Sequence, residues 1–247
     1  MRLKQYKPVN FIIAFFIIFA LWQMAAMIIK RPLFPPPLAI IINIINTFNS
    51  DISIHVFYSF IRIIVGLLFT LAIGIPVGIL MGYFKKVDLI LSPIIYFNYP
   101  IPKIALLPIV MLIFGLGDLT KIVMIFLITF FPVVVNIKDE VKNIPEDVFY
   151  TMYSLGATNI QIITEIVLSG IIKAILTSLR IGIGTAISVL FFTENFGTEY
   201  GMGYFIMDSW MRINYIQMYS GILILSMIGL FLFILIDVLE EILCPWR

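Results

Sequence analysis

Apolar residues occur along this chain in long runs, and charged residues or prolines close most of them. A helix needs about 20 apolar residues to cross the hydrocarbon core of a membrane. Runs that reach or approach this length cover residues 10–29, 57–84, 89–114, 121–135, 170–193 and 219–239. The pattern predicts an all-α fold, a polytopic membrane helical bundle with six transmembrane helices in one transmembrane domain, residues 1–247.

Prolines interrupt the third of these runs, at Pro93, Pro100, Pro102 and Pro108. A spanning helix tolerates proline where other groups satisfy the backbone carbonyls that the proline frees. Broken helices often line binding cavities in transporters. Residues 99–107, with Tyr99 and Pro102, are therefore predicted to line a translocation path.

Glycines recur along one face of the second run, at Gly66, Gly74, Gly78 and Gly82. Small residues at i, i+4 spacing allow two helix backbones to approach closely. The spacing predicts a packing face against a neighbouring helix.

The segment between the fourth and fifth runs is partly polar and contains residues that typically start and end helices. Asn143, followed three residues later by Glu146, predicts the start of one short helix. Gly156 stands where a left-handed turn would end that helix. Thr158, followed by Gln161, predicts a capping box and a second short helix. The segment is thus predicted to form a helix–turn–helix hairpin.

Two interpretations of this hairpin, within residues 136–169, remain open from the pattern alone. It fits an ordinary loop that covers the bundle, and it fits a docking element for a groove on a soluble partner. More lysines and arginines fall on the N-terminal side of the predicted bundle than on the other. Both termini and the hairpin are therefore expected in the cytoplasm.

Composition excludes an ordinary soluble domain. The chain is 62% hydrophobic and 12% charged, whereas soluble domains are about 45–50% apolar and about 25% charged. A net charge of +2 without a basic cluster gives no sign of a nucleic-acid partner. The single cysteine excludes an intramolecular disulfide and a cysteine-based metal site.

The sequence contains no motif for catalysis on this chain. No metal-ligand spacing, nucleophile motif or G-x-x-x-x-G-K-[ST] loop is present. We therefore expect no catalytic residue, no metal and no cofactor on this chain, which is predicted to be a transport subunit and not an enzyme. If ATP drives transport, a separate subunit binds and hydrolyses it.

A few charged or titratable residues lie within or beside the predicted spans. Arg62 and Glu194 fall near the same membrane face. They could form a structural or gating ion pair, extend to the membrane interface, or contact the solute as residues of the translocation path. Arg180 lies ten residues into the fifth run, which is about 15 Å along a helix. It would either form a wall of the translocation path that attracts an anionic solute, or be a structural arginine bonded to backbone carbonyls. His55 is expected at the membrane surface.

The chain resembles the permeases of ABC importers. Gly156, Ile166 and Leu168 fit their signature of a glycine, nine residues and then I-x-L-P, although Ser169 replaces the proline. More specifically, it is similar to the nitrate/sulfonate/taurine-type permeases. The stretches that carry this likeness, in family order, are residues 34–37, 58–83, 100–122, 130–136, 154–158, 179–186 and 197–204. One departure is that Tyr150, Thr151 and Met152 stand where the family has Glu-Ala-Ala.

The resemblance implies a function and a set of partners. The chain would be the membrane-spanning subunit of an ATP-driven importer for a small anionic or vitamin-precursor solute, in the bacterial cytoplasmic (inner) membrane. Its partners would be two ATP-binding-cassette ATPase subunits, an extracytoplasmic solute-binding protein, the lipid bilayer and a second copy of itself in a homodimer. The ATPase would grip the coupling hairpin at Leu155, Gly156, Ala157, Thr158, Ile160, Ile163, Ile166 and Leu168.

Two other classes of function remain as alternatives. An ion-coupled secondary transporter would need acidic residues within the membrane, and the spans hold only Glu194 and Asp237, both near their ends. A non-transport membrane assembly subunit would be compatible with the hairpin, but the resemblance does not favour it.

Overall fold

The computed structural model describes residues 8–29 and 31–244, and this part of the chain is helical without a strand. Its helices are α1 (Pro8–Ile29), α2 (Pro37–Thr47), α3 (Ser53–Tyr83), α4 (Lys85–Asn98), α5 (Leu107–Phe114), α6 (Asp118–Lys142), α7 (Glu146–Ser154), α8 (Asn159–Gln161), α9 (Leu168–Thr193), α10 (Met202–Met211) and α11 (Tyr215–Leu243). Short π-helical segments at Phe48–Ile52 and Ile162–Val167 join α2 to α3 and α8 to α9. The predicted all-α fold is confirmed.

Four helical segments of the described chain are long and apolar enough to cross a membrane: Pro37–Tyr83, Asp118–Lys142, Asn159–Thr193 and Tyr215–Leu243. The bent pair Lys85–Asn98 and Lys103–Phe114 makes a fifth if it is one span. The first predicted span lies in α1, whose apolar segment Phe16–Ile29 is shorter than a full crossing. The count of six spans stays a prediction.

The predicted third span, residues 89–114, is not one straight helix. Helix α4 ends at Asn98, and a 3₁₀ turn at Lys103–Leu106 leads into α5. The two halves meet at an angle of 82°. The break lies at Pro100 and Pro102. Proline has no backbone N–H, so it cannot donate the hydrogen bond that would continue the helix.

Helix α6 extends beyond the predicted fourth span, residues 121–135, and ends at Lys142. The predicted hairpin segment, residues 136–169, therefore begins inside a helix. The ammonium group of Lys142, the last residue of α6, lies 2.6 Å from the carboxylate of Asp88.

Asn143 closes α6 and does not open the next helix as predicted. Its amide donates to the carbonyls of Asp139 and Glu140 at 3.0 and 3.1 Å. Helix α7 instead begins after Pro145, whose extended backbone serves as its N-cap. A proline suits this place because it lacks the amide that a helix start leaves unpaired.

The chain divides into two compact units. One contains the described residues up to Phe60 together with Glu194–Leu230, and the other contains Ile61–Thr193 and the described residues from Phe231. Helices α3 and α11 contribute to both.

The second unit is built on close packing of α3 against α6. A Cβ added at Gly78 would lie 2.7 Å from Cβ of Ile137, and one at Gly82 would lie 2.5 Å from Cβ of Val141. Real side chains do not approach so closely, so these positions admit only glycine without a shift of the neighbour. The predicted glycine packing face is confirmed, and α6 is its partner.

Polar bonds then fix α6 against α9. The side-chain amide of Asn136 donates to the carbonyl of Ala174 at 3.1 Å and to the hydroxyl of Ser178 at 2.6 Å. A buried apolar cluster that includes Ile137, Val167 and Ile171 lies beside these bonds. Because Val167 lies at the base of the hairpin, this core holds the hairpin to α6 and α9.

The first unit is closed by aromatic and polar contacts. Trp22 packs against Phe34 and Tyr219, with ring centroids 6.2 and 5.9 Å away. The side-chain amide of Asn43 donates to the hydroxyl of Ser220 at 3.0 Å. These contacts join α1 and α2 to the first half of α11.

Candidate functional site

The turn of the hairpin has the geometry that its sequence predicts. Gly156 has φ +79°, in the left-handed region. Its amide donates to the carbonyl of Tyr153 at 3.0 Å, and the amide of Ala157 donates to that of Met152 at 3.0 Å. This pair of bonds is the Schellman arrangement, which satisfies the last carbonyls of α7. The turn is therefore rigid and has a defined direction.

The second arm of the hairpin starts with the predicted capping box. The hydroxyl of Thr158 accepts from the amide of Gln161 at 3.4 Å, and the side-chain oxygen of Gln161 accepts from the amide of Thr158 at 2.8 Å. Two backbone donors at the helix start are thus satisfied. From there the helix continues through the π segment into α9 without a break, so Asn159–Thr193 is one helix of 35 residues. The second arm of the hairpin is therefore continuous with this candidate span.

Tyr83, at the end of α3, fastens both arms of the hairpin. Its hydroxyl lies 2.7 Å from the hydroxyl of Tyr153 and donates to the side-chain oxygen of Asn159 at 2.9 Å. No local pattern at Tyr83 predicts this contact, because the partner Tyr153 lies 70 residues away.

The predicted ATPase-contact residues differ in their exposure. Leu155 and Ile160 are 78% and 74% exposed, which is unusual for large aliphatic side chains without a partner. Ile163 packs partly buried against the core of the second unit. Gly156, Thr158 and Leu168 are exposed, and Ala157 and Ile166 are half-buried. Only part of the predicted set is therefore accessible to another molecule.

The triplet that departs from the family pattern lies on α7. Tyr150 is exposed, and its hydroxyl donates weakly to the carboxylate of Glu146 at 3.5 Å. The hydroxyl of Thr151 donates to the carbonyl of Asp147 at 2.7 Å and stays within its own helix. The outer face of the hairpin is therefore aromatic and aliphatic at its tip and acidic at the start of α7.

Arg62 is 2% exposed and binds the carboxylate of Asp118 at the start of α6, with Nε 2.9 Å from Oδ1. An arginine so deep is stable only when its donors are satisfied. Asp118 thus has a structural role that the sequence analysis did not assign. The predicted pairing of Arg62 with Glu194 stays a prediction.

Glu194 is fully buried in the first unit and is held by donors from two elements. Ser59 donates its hydroxyl to the carboxylate at 2.8 Å, and the amide of Gly203 donates at 2.8 Å. Gly201 has φ +138°, and a Cβ there would lie 2.3 Å from the carboxyl carbon of Glu194. The stretch at residues 197–204, noted for its likeness to the family, therefore encloses this carboxylate.

His55 is buried at 6% exposure, and the expectation of a surface residue is wrong. Its ring stacks on Tyr204 with centroids 6.0 Å apart and packs against Phe205 at 5.2 Å. Its Nδ1 lies 3.1 Å from both the amide nitrogen and the carbonyl oxygen of Gly201. The imidazole is covered by aromatic residues distant in sequence. The sequence around His55 therefore gives no sign of its burial.

Arg180 is an ion-pair partner of two carboxylates on α11. Its guanidinium donates to Asp237 and, at 3.0 Å, to Glu240. The three side chains are each about one quarter exposed or less. Its partners are therefore side-chain carboxylates and not the predicted backbone carbonyls. The predicted place of Arg180 in the wall of the translocation path stays a prediction.

The break at the predicted path residues Tyr99 and Pro102 is stabilised by a lysine. Lys103 donates from Nζ to the carbonyl of Tyr99 at 2.7 Å and to that of Asn98. Its ammonium lies 4.7 Å from the ring centroid of Phe131. The carbonyls that the break leaves unpaired thus find a donor, as a broken helix at membrane depth requires. The side chain of Tyr99 itself is exposed.

Within residues 8–29 and 31–244, no group of three or more histidine, cysteine or acidic residues could hold a metal ion.

Comparison with known proteins places these features in a family. Residues 74–246 match the family described as binding-protein-dependent transport system inner membrane component. The formylaminopyrimidine transport permease protein ThiX of Halalkalibacterium halodurans is 31% identical over 99% of this chain and 98% of its own length. The taurine transport system permease protein TauC of Escherichia coli is 31% identical over 92% of this chain and 85% of its own.

A solved structure shares the fold. An inward-facing form of the MetNI methionine ABC transporter matches with a TM-score of 0.67 and 19% identity. The match covers 76% of this chain and 94% of that chain.

Proposed function

The chain belongs to the family of binding-protein-dependent transport inner-membrane components, and from this premise we propose that it is the permease subunit of an ATP-driven importer. It is a multi-pass protein of the inner membrane, and its relatives are transport permeases. In the proposed assembly a separate ATPase subunit binds the hairpin of residues 146–167. An extracytoplasmic binding protein delivers the solute.

The observation that carries this proposal is the exposed aliphatic tip of a rigid hairpin. Leu155 and Ile160 project from a turn that Gly156 and the Thr158 capping box hold in one conformation. A short helix with aliphatic anchors suits a groove on a soluble partner. Because the hairpin continues into α9, closure of the ATPases would move α9 as a lever.

The assembly and orientation belong to the same proposal. Two copies of the chain form the path, because the four or five spans of the described residues are few for a closed one. Both termini and the hairpin face the cytoplasm, which the excess of lysine and arginine on that side supports.

The ion pairs of Arg180 bear on the charge of the solute. A guanidinium already bound to two carboxylates offers no net positive charge to an anion. We therefore favour a small neutral or cationic solute of the vitamin-precursor class over a sulfonate. The relative that aligns over 99% of the chain transports, by its name, a formylaminopyrimidine.

The test is co-purification of the tagged chain with the ATPase and binding protein encoded beside it. We expect a complex with two permeases and two ATPases. Leu155→Glu and Ile160→Glu should each lose most of the ATPase, because a charge at an apolar contact loses its hydration without a partner. Ile163 is unsuitable for this test because it packs against the core.

Ile213→Glu is the matched control. Ile213 is 71% exposed and lies outside the hairpin, between α10 and α11. This variant should retain the ATPase. Retention of the ATPase by both hairpin variants, with the same elution profile as the wild type, would overturn the docking role.

A further inference from the structure

An open groove with a volume of about 580 Å³ lies beside the hairpin. The ends of α3 and α6, the start of α4 and residues from both arms of the hairpin form its walls. Its lining combines cationic side chains, including Lys85 and Lys86, with aromatic ones, including Tyr83 and Phe149.

The charge of the groove is predominantly positive. Three lysines line it, against one acidic residue, Glu146. Lys142 is paired with Asp88 at 2.6 Å. Lys85 and Lys86 are exposed, and within the part of the chain that the structure describes neither has an ion pair or side-chain hydrogen bond. Two cationic groups are thus available to an anionic ligand.

The start of α4 adds to the positive potential. Lys85 is the first residue of α4, and Phe84 provides no side-chain cap. The first amides of a helix have no acceptor within the helix, and its N-terminus carries partial positive charge. Phe84, Lys85 and Lys86, at the start of α4, all line the groove, and the acidic residue of this first turn, Asp88, is already paired with Lys142.

The groove also lies at the polar end of a candidate membrane span. The apolar helix Pro37–Tyr83 ends one residue before α4 begins. Aromatic rings and lysines that directly follow a span lie at the depth of lipid headgroups. A ligand with a phosphate at that depth and apolar chains beyond it would satisfy both parts of the lining.

We propose that this groove binds the phosphate of an anionic phospholipid headgroup, with Lys85 and Lys86 as its principal contacts. The same chemistry would suit a free organic phosphate. The open shape of the groove and its place at the end of a span favour the lipid. The binding does not depend on the importer function.

A lipid in this groove would also affect the coupling of ATP hydrolysis to transport, an inference that rests on the proposed function. Tyr153 and Asn159 line the groove and are the two hairpin residues that Tyr83 holds. A bound headgroup would therefore touch the contacts that position the hairpin. We expect ATP hydrolysis by the assembled importer to depend on anionic lipid.

The binding test uses native mass spectrometry of the purified, delipidated chain with added phosphatidylglycerol or phosphatidylcholine. The wild type should retain phosphatidylglycerol preferentially, and its retention should fall as the salt concentration rises. Lys85→Gln with Lys86→Gln should weaken phosphatidylglycerol binding by about fivefold for each lysine. Lys85→Arg with Lys86→Arg should retain it.

The control variant Lys173→Gln with Arg212→Gln removes the same charge elsewhere and should leave binding unchanged. Equal retention of the two lipids by the wild type would overturn the proposal, and so would unchanged binding in the glutamine variant. Displacement of the lipid by glycerol 3-phosphate at equal concentration would identify a free phosphate as the ligand and overturn the lipid assignment. Co-purification of the ATPase is measured separately, so failure of one proposal is distinguishable from failure of the other.

Discussion

Gly201 and Arg180 show how single residues are fixed by groups far away in sequence. Gly201 has φ +138°, and its amide lies 3.1 Å from Nδ1 of His55, 146 positions away. Arg180 finds its partner Asp237 57 residues away. Breaking one partner of a buried ion pair leaves an uncompensated charge, which costs more than the pair itself contributes. Both residues therefore contribute to the stability of the fold.

We expect Gly201→Ala to destabilise the folded protein by at least about 3 kcal/mol, because it adds both backbone strain and a clash with Glu194. Gly184→Ala is the control, since a Cβ at Gly184 meets no heavy atom within 4 Å. Alanine in a helix should leave stability unchanged or slightly raised there. Thermal unfolding in detergent measures both variants, and equal midpoints for the two would contradict the enclosed geometry at Glu194.

At the scale of elements, the hairpin combines locally determined parts with attachments to distant helices. The Gly156 turn and the Thr158 capping box are each closed within a few residues. The attachment to Tyr83 is not local, and it joins the hairpin to α3. The direction of the hairpin therefore depends on α3, which packs through its glycines on α6.

Tyr83→Phe should loosen the hairpin without unfolding the protein, because it removes the hydroxyl that bonds Tyr153 and Asn159. A hydrogen bond of this kind contributes about 1 kcal/mol. We expect faster hydrogen exchange at the amides of residues 158–161 in the variant. Tyr150→Phe should not change exchange, since the Tyr150 hydroxyl reaches only Glu146 on its own helix. Identical exchange in the two variants would show that Tyr83 does not position the hairpin.

At the scale of the whole molecule, transport requires a path whose charge suits the solute. The resemblance to sulfonate and nitrate permeases, together with Arg180, predicts that the solute is a small anion or a vitamin precursor. In the structure the Arg180 guanidinium is bound by two carboxylates of α11, Asp237 and Glu240. Arg180 therefore links α9 to α11, and its predicted role in the path remains to be tested.

The double variant Arg180→Gln with Asp237→Asn distinguishes these roles in the reconstituted importer. We expect it to fold better than Arg180→Gln alone and to retain solute uptake, because Asp237 is neutralised with Arg180 and only Glu240 loses this cation. Arg180→Gln alone should lower the yield of folded protein, since it leaves carboxylates without their cation. A folded double variant that has lost uptake would restore the role of Arg180 in binding an anion.

The sequence by itself determined the features that depend on composition or on neighbours within one or two helical turns. These are the all-α membrane class, the glycine face of α3, the left-handed turn at Gly156 and the capping box at Thr158. Family membership was also readable, since it rests on short motifs in order. Each of these features depends on local backbone preference or on the length of an apolar run. Both can be read from a short window of the sequence.

Only the tertiary structure decided which distant groups meet. The contacts of Tyr83 with Tyr153, Arg62 with Asp118 and Ser59 with Glu194 join residues 70, 56 and 135 positions apart. Folding also decided that Ile160 is exposed while Ile163 is partly buried. The physical reason is that a charged or hydroxyl group in an apolar run must find a partner, and the run does not specify which helix brings it.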